Sequence, residues 1–203
     1  MRRCLAICLV MVWMDGPALC ADDYRLGAFG GASHTNVSDV EFGETLPQWL
    51  VTFGAMLEAR PRAHLGFRLE ATYLPTGTLH IGRVDSRLWL DWLQVPLLLR
   101  LGTAGSLLRG HGGELHVIAG PAVAVRLHAS GDDTLSYWNI YVKNLHHTDV
   151  AVVFGGGASW TRDRMGALVE WRYSLGLVDI DPQESNLKTR ASSIRGGVTL
   201  RLR

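Results

Sequence analysis

The chain is poor in cysteine where cysteine would matter. All three, Cys4, Cys8 and Cys20, fall within the first twenty residues. A mature protein without that stretch has no thiol for disulfides or thiolate metal sites, so its stability must come from backbone pairing and burial. Excess charge is missing too: the formal net charge is +1, which argues against nucleic acid, a partner that favours a strongly basic surface. Hydrophobic residues make up 47% of the sequence. Yet beyond the leader no apolar run approaches the roughly 20 residues a spanning helix needs. No helical period of convincing length appears either. These absences remove the disulfide scaffold, the thiolate metal protein, the nucleic-acid binder and the helical membrane protein.

What opens the chain is a leader. Arg2 and Arg3 supply positive charge, 4–14 form a short apolar core, and Gly16-Pro17 break it. Ala18, Cys20 and Ala21 offer small residues for cleavage. Residues 1–20 therefore read as a signal peptide, and 21–203 as a single mature domain.

What fills the rest is a period of two. In ALVEWRYSL (167–175), Val169, Trp171, Tyr173 and Leu175 share one parity, while Leu168, Glu170, Arg172 and Ser174 take the other. Successive side chains of a strand point to opposite faces, so this is a strand with one apolar-aromatic face and one charged face. Similar alternation predicts eight strands, over 23–33, 49–59, 64–74, 88–101, 114–128, 149–161, 167–175 and 191–203. The connections after the second and sixth are very short. Those after the first, third, fifth and seventh are long and polar, and that after the fourth is intermediate. Short turns on one side and long loops on the other suit an all-β, eight-stranded antiparallel up-and-down transmembrane β-barrel. Its expected place is the outer membrane of a Gram-negative-type bacterium, with outer-membrane lipid around it.

A soluble ligand-binding barrel would carry the same stripe turned inward. Three features favour the apolar face outward. The polar parity collects Glu58, Arg68, Glu70, Thr72, Gln94, Arg100, His116, Arg126, Glu170, Arg172, Arg195, Thr199 and Arg201, whose opposite signs can pair in an interior just wide enough for side chains. Gly54, Gly66, Gly155, Gly157 and Gly197 share that parity, either to make room for arginines or to mark bends. Trp49, Tyr73, Trp89 and Tyr173 fall near long-loop ends and Trp160 near a short turn, as interfacial belts require.

The segments DWLQVPLLLRL, ELHVIAGPAVAVRL, DVAVVFGGGASW and ALVEWRYSLGLVDI resemble the succession in PorT-like outer-membrane β-barrel proteins, a porin-family group. Gln94, Pro96, Leu97 to Leu99, Gly120-Pro121 and Tyr173 to Leu177 carry the likeness. It implies an outer-membrane location, insertion by the barrel-assembly machinery and no common activity. The chain ends Leu202-Arg203, where such barrels often end in an aromatic residue.

The strongest constellation is a lumenal charge network of Arg68, Glu70, Arg100, Glu170, Arg172, Arg195 and Arg201. A catalytic carboxylate pair is conceivable there, but mixed charges in a low-dielectric interior point to a salt-bridge plug. His34, His128, His146 and His147 lie toward the loops without metal-ligand spacing. Ser174 has a parity that places it inside rather than against lipid, and no strand gives a Ser and a His on the lipid-facing parity at matching depth for an acyl-transfer pair. Phe154-Gly155-Gly156-Gly157 lacks the lysine and helix of a phosphate loop. No catalytic, cofactor or metal residue is therefore assigned, and an enzyme is not expected. Contact with an envelope or extracellular partner falls to the long 129–147 connection, where Tyr137, Trp138 and Tyr141 cluster. The expected role is structural or surface-interacting. The alternative is a narrow pore, or an accessory subunit of an envelope transport or secretion complex.

Overall fold

Alternating β-branched, aromatic and polar residues give long strands that can satisfy their backbone groups only against neighbours, and the sheet closes on itself. The computed structural model describes residues 23–38, 45–80, 86–103, 112–132, 146–178 and 188–202. Eight strands follow in chain order: β1 (Asp23–Ser38), β2 (Thr45–Arg62), β3 (Leu65–His80), β4 (Ser86–Gly102), β5 (Gly112–Asp132), β6 (Thr148–Arg162), β7 (Met165–Gly176) and β8 (Lys188–Arg201). Each pairs antiparallel with its sequence neighbour, and β1 pairs with β8 to close the barrel. No edge is left to template association. Among the described residues there is no helix.

Two hairpins are tight. Ala63-His64 joins β2 to β3, and Asp163-Arg164 joins β6 to β7. Asp163 has φ 55°, the left-handed conformation that short hairpin turns need and aspartate tolerates. Asp23 and Leu202 lie at this same end, where Leu202 N donates to Tyr24 O at 2.7 Å.

The strands run longer than their hydrophobic patterns alone suggest. Residues 75–80, expected to be a connection, continue β3, with Thr76 opposite Leu90 and Gly77 opposite Trp89. β5 spans 21 residues, about twice the ~9–11 a tilted span requires. The wall therefore rises higher on the long-loop side than the hydrophobic pattern suggests. Pro75 misleads as a turn signal because its neighbours are still held by the ladder to β4. Residues 1–20, expected to be a leader, and Tyr137, Trp138 and Tyr141 lie outside the described residues.

Outside, the barrel carries Val51, Leu69, Leu97, Val123, Val152 and Ile194, each more than a third exposed. An apolar surface this continuous is anomalous against water. The interior is not uniformly polar, as the alternation suggests, but layered. Leu98, Ile118, Ala122, Ala151 and Val153 form one buried apolar cluster, and Phe29, Met56 and Leu168 another. Trp92 and Leu90 are buried as well. An eight-stranded interior must be filled, and filling it with charge alone would cost more desolvation than pairing returns.

Candidate functional site

The charged layer is built from side chains two apart on single strands, which alternation sends to the same side of the wall. β3 contributes Arg68 and Glu70, and β7 contributes Glu170 and Arg172. In the closed order these strands stand four apart in either direction, on opposite walls. Both have odd numbers and run the same way, so Arg-x-Glu meets Glu-x-Arg residue for residue. Arg68 Nη1 donates to Glu170 Oε1 at 2.5 Å. Arg172 Nη2 donates to Glu70 Oε1 at 2.6 Å and also binds Glu170 Oε2, 2.5 Å away.

Further strands extend the set. Glu58 on β2 accepts from Arg68 Nε at 2.7 Å and, closer still, from Arg60. Glu114 on β5 bridges Arg60 Nη1 at 2.9 Å and Arg100 Nη1 at 2.8 Å. His116 Nε2 lies 2.8 Å from Glu170 Oε1. Arg195 on β8 is 3.6 Å from Glu70, and its guanidinium sits 4.9 Å from the Phe29 ring centroid, a cation–π contact. Four glutamates (58, 70, 114, 170) and five arginines (60, 68, 100, 172, 195) are thus linked by ion pairs across the lumen.

Close approach decides where glycine stands in this layer. A Cβ on Gly157 would lie 2.8 Å from Glu170 Cγ, and one on Gly54 would lie 2.7 Å from the Phe29 ring. The first gives Glu170 room beside the β6 wall. The second seats the ring that carries Arg195.

Of the residues singled out from sequence, Arg68, Glu70, Arg100, Glu170, Arg172 and Arg195 come together, each buried. Arg201 stands apart at the short-turn mouth, its side chain 45% exposed and its Nε 3.1 Å from Asp23. Glu58 and His116, read as lumenal, sit inside the network. Glu114 and Arg60 were not singled out, although their parity with His116 and Glu58 is the signal that finds them; Asp23 and Arg25 share the parity of the buried Phe29.

The remaining candidates are dispersed. The His34 ring packs 5.0 Å from Trp49, and His147 accepts from Arg126 Nη2 at 3.3 Å. His128 and His146 are exposed. Ser174 points inward and accepts from Gln94 Nε2 at 2.9 Å. Among the described residues, no three of His, Cys, Asp and Glu are grouped to hold a metal.

Cavities flank the network unequally. Toward the long loops, Trp92, Gln94, Asp149, Ser174 and Thr189 enclose about 10 Å³, about one water. At the short-turn mouth two adjoining chambers of about 480 and 310 Å³ open to solvent. The charged layer lies between these cavities, with a charged vestibule on its short-turn side.

No protein-family model and no curated protein matches this sequence. The likeness to PorT-like proteins rests on the sequence segments alone. Among solved structures, the fold is similar to the outer membrane protein OprG from Pseudomonas aeruginosa, with TM-score 0.57 and 12% identity, covering 90% of this chain and 96% of that one. It is also similar to Neisserial surface protein A, with TM-score 0.52 and 11% identity, covering 87% of this chain and 96% of the other. At such identities the likeness is one of fold: this chain is a closed eight-stranded antiparallel barrel of the kind those two proteins form.

Proposed function

We propose that this chain is an outer-membrane barrel of a Gram-negative-type bacterium, with its lumen closed by paired charges and a structural or surface-interacting role carried by its long loops. The paired layer of Arg68, Glu70, Glu170 and Arg172 is the observation that carries the reading. It brings side chains from opposite walls together across a narrow interior, which supports a closed lumen. The apolar outer face supports a lipid setting, because a closed sheet satisfies every backbone group within hydrocarbon. Similarity to barrels named as an outer membrane protein and a surface protein supports the same location. Export by the 1–20 leader and insertion by the barrel-assembly machinery complete the route.

Contact with an envelope or extracellular partner falls to the connection that follows β5 and its aromatic residues Tyr137, Trp138 and Tyr141; residues 129–132, expected to begin that connection, continue β5. Tyr and Trp supply much of the energy at contact sites. Planar-bilayer recording tests closure: the intact protein should insert without steady conductance, and a stable ohmic current refutes the plug. Deleting 132–143 tests the loop. The barrel should still assemble while binding to cells, matrix or envelope proteins is lost, and unchanged binding to every partner found removes the loop from the reading.

A further inference from the structure

Guanidiniums crowd the short-turn mouth. Among the described residues, the smaller chamber is lined by Arg25, Arg60, Arg62 and Arg201, with Asp23 as its one carboxylate. Arg25 Nη2 donates to Asp23 Oδ2 at 2.7 Å, while Arg201 Nε lies 3.1 Å from Oδ1 of the same group. Two guanidiniums therefore share one carboxylate. Arg60 is answered from the network behind it, by Glu58 and Glu114. Arg62 stands exposed on the rim, opposite Leu65 at the last rung between β2 and β3.

This chamber is built rather than incidental. Asp23, Arg25 and Arg60 line it while each is only 8% exposed, so their charged ends are fixed by ion pairs before any ligand arrives. Arg25 Nη1 is held further by Thr161 Oγ1 at 3.0 Å. A preset cluster of guanidinium forks suits a tetrahedral or planar oxyanion taken by several donors at once. Its volume of about 310 Å³ admits a phosphate group with its substituent. The position narrows the chemistry. Leu26 and Leu57, paired across β1 and β2 and each about half exposed, face outward beside this mouth, so on the membrane reading the chamber lies on the headgroup side of that apolar wall.

We propose that the short-turn vestibule is a phosphate-binding site, with Arg62 as the outer arm and Arg25, Arg60 and Arg201 as the fixed base. The phosphate is that of a lipid headgroup or of a free phosphate compound. The lipid source rests on the membrane reading given above, whereas the phosphate chemistry does not.

Phosphorus-31 NMR on the full chain in an uncharged, phosphate-free detergent tests the chemistry, with inorganic phosphate as the probe. Line broadening is expected with the wild type, with apparent affinity falling at least tenfold in Arg62→Ser and unchanged in Arg190→Ser at the far end. Arg62 lies outside the ion-pair network, and the heat-dependent gel shift of folded barrels verifies both variants. In a second arm, nanodiscs of phosphatidylcholine doped with phosphatidylglycerol receive the same proteins. Greater retention of phosphatidylglycerol by wild type than by Arg62→Ser assigns the phosphate to lipid. Equal retention with Arg62-dependent broadening assigns it to a free compound. Arg62-dependent broadening from a protein that refuses to enter nanodiscs supports the site while defeating the membrane reading. No Arg62-dependent difference in either arm overturns the proposal.

Discussion

Arg172 and Glu70 stand on opposite walls of the barrel, 102 residues apart in sequence, and their side chains meet at 2.5 Å. The contact spans the lumen, and with Arg68–Glu170 it forms a double cross-brace. Each half of the brace leaves the other's charges stranded if it is removed, which gives a direct experimental handle.

Glu170 is the hub, since it accepts from Arg68 and Arg172 and lies beside His116. Glu170→Leu leaves two buried guanidiniums short of a partner and should destabilise by about 3–5 kcal/mol. Reversible urea unfolding from vesicles checks this. A midpoint equal to wild type would mean that the lumen is wet enough to solvate the freed charges.

Exchanging the sign of one brace should restore what a single change loses. Arg68→Glu alone sets a carboxylate against Glu58, Glu70 and Glu170 and should strongly destabilise the barrel. Arg68→Glu with Glu170→Arg should recover part of the loss, because Glu58 and Arg172 still face the wrong sign. The coupling from a double-mutant cycle should exceed about 1 kcal/mol. Additive effects would show that the two side chains do not meet.

Leu69 lies between Arg68 and Glu70 but faces outward, 48% exposed. Leu69→Arg should cost about 2–4 kcal/mol if that face meets lipid near the bilayer midplane. Surface substitutions facing water usually stay within about 0.5 kcal/mol. Folding free energy measured in vesicles therefore separates a lipid-facing wall from a soluble barrel.

Two glycines give opposite expectations. Gly157→Val sets its new Cβ against Val169 O, its closest neighbour, and 2.8 Å from Glu170 Cγ, and should cost roughly 1–3 kcal/mol. Gly196→Ala points into open space, its nearest neighbour being 4.0 Å away, and should be neutral or slightly stabilising by reducing unfolded-state entropy. The fraction folded, read by heat-dependent gel migration across a denaturant series, reports both.

Much of this molecule was legible before any tertiary contact was known. Val169, Trp171 and Tyr173 alternating with Leu168, Glu170 and Arg172 specify a strand and its two faces, because side-chain direction on a strand is a local property of the backbone. Repeated eight times with alternating connection lengths, that pattern leaves few topologies besides a closed up-and-down barrel. The same local rule put Arg68, Glu70, Glu170 and Arg172 on one side of their strands.

Pairing across the lumen was not legible, because it depends on stagger. Which residue of β3 stands level with Glu170 is fixed by the register accumulated through four strand pairs, including the bulge between Asp91 and Trp92. No local pattern encodes that sum. The inward turn of Leu90, Trp92 and Leu98 escaped for a related reason: β4 is apolar on both faces, so alternation is silent there. Arg201 shares the lumenal parity but pairs with Asp23 at the mouth. Parity sets only the direction in which a side chain points. Depth along the axis sets what it reaches, and that is decided only when the sheet has closed.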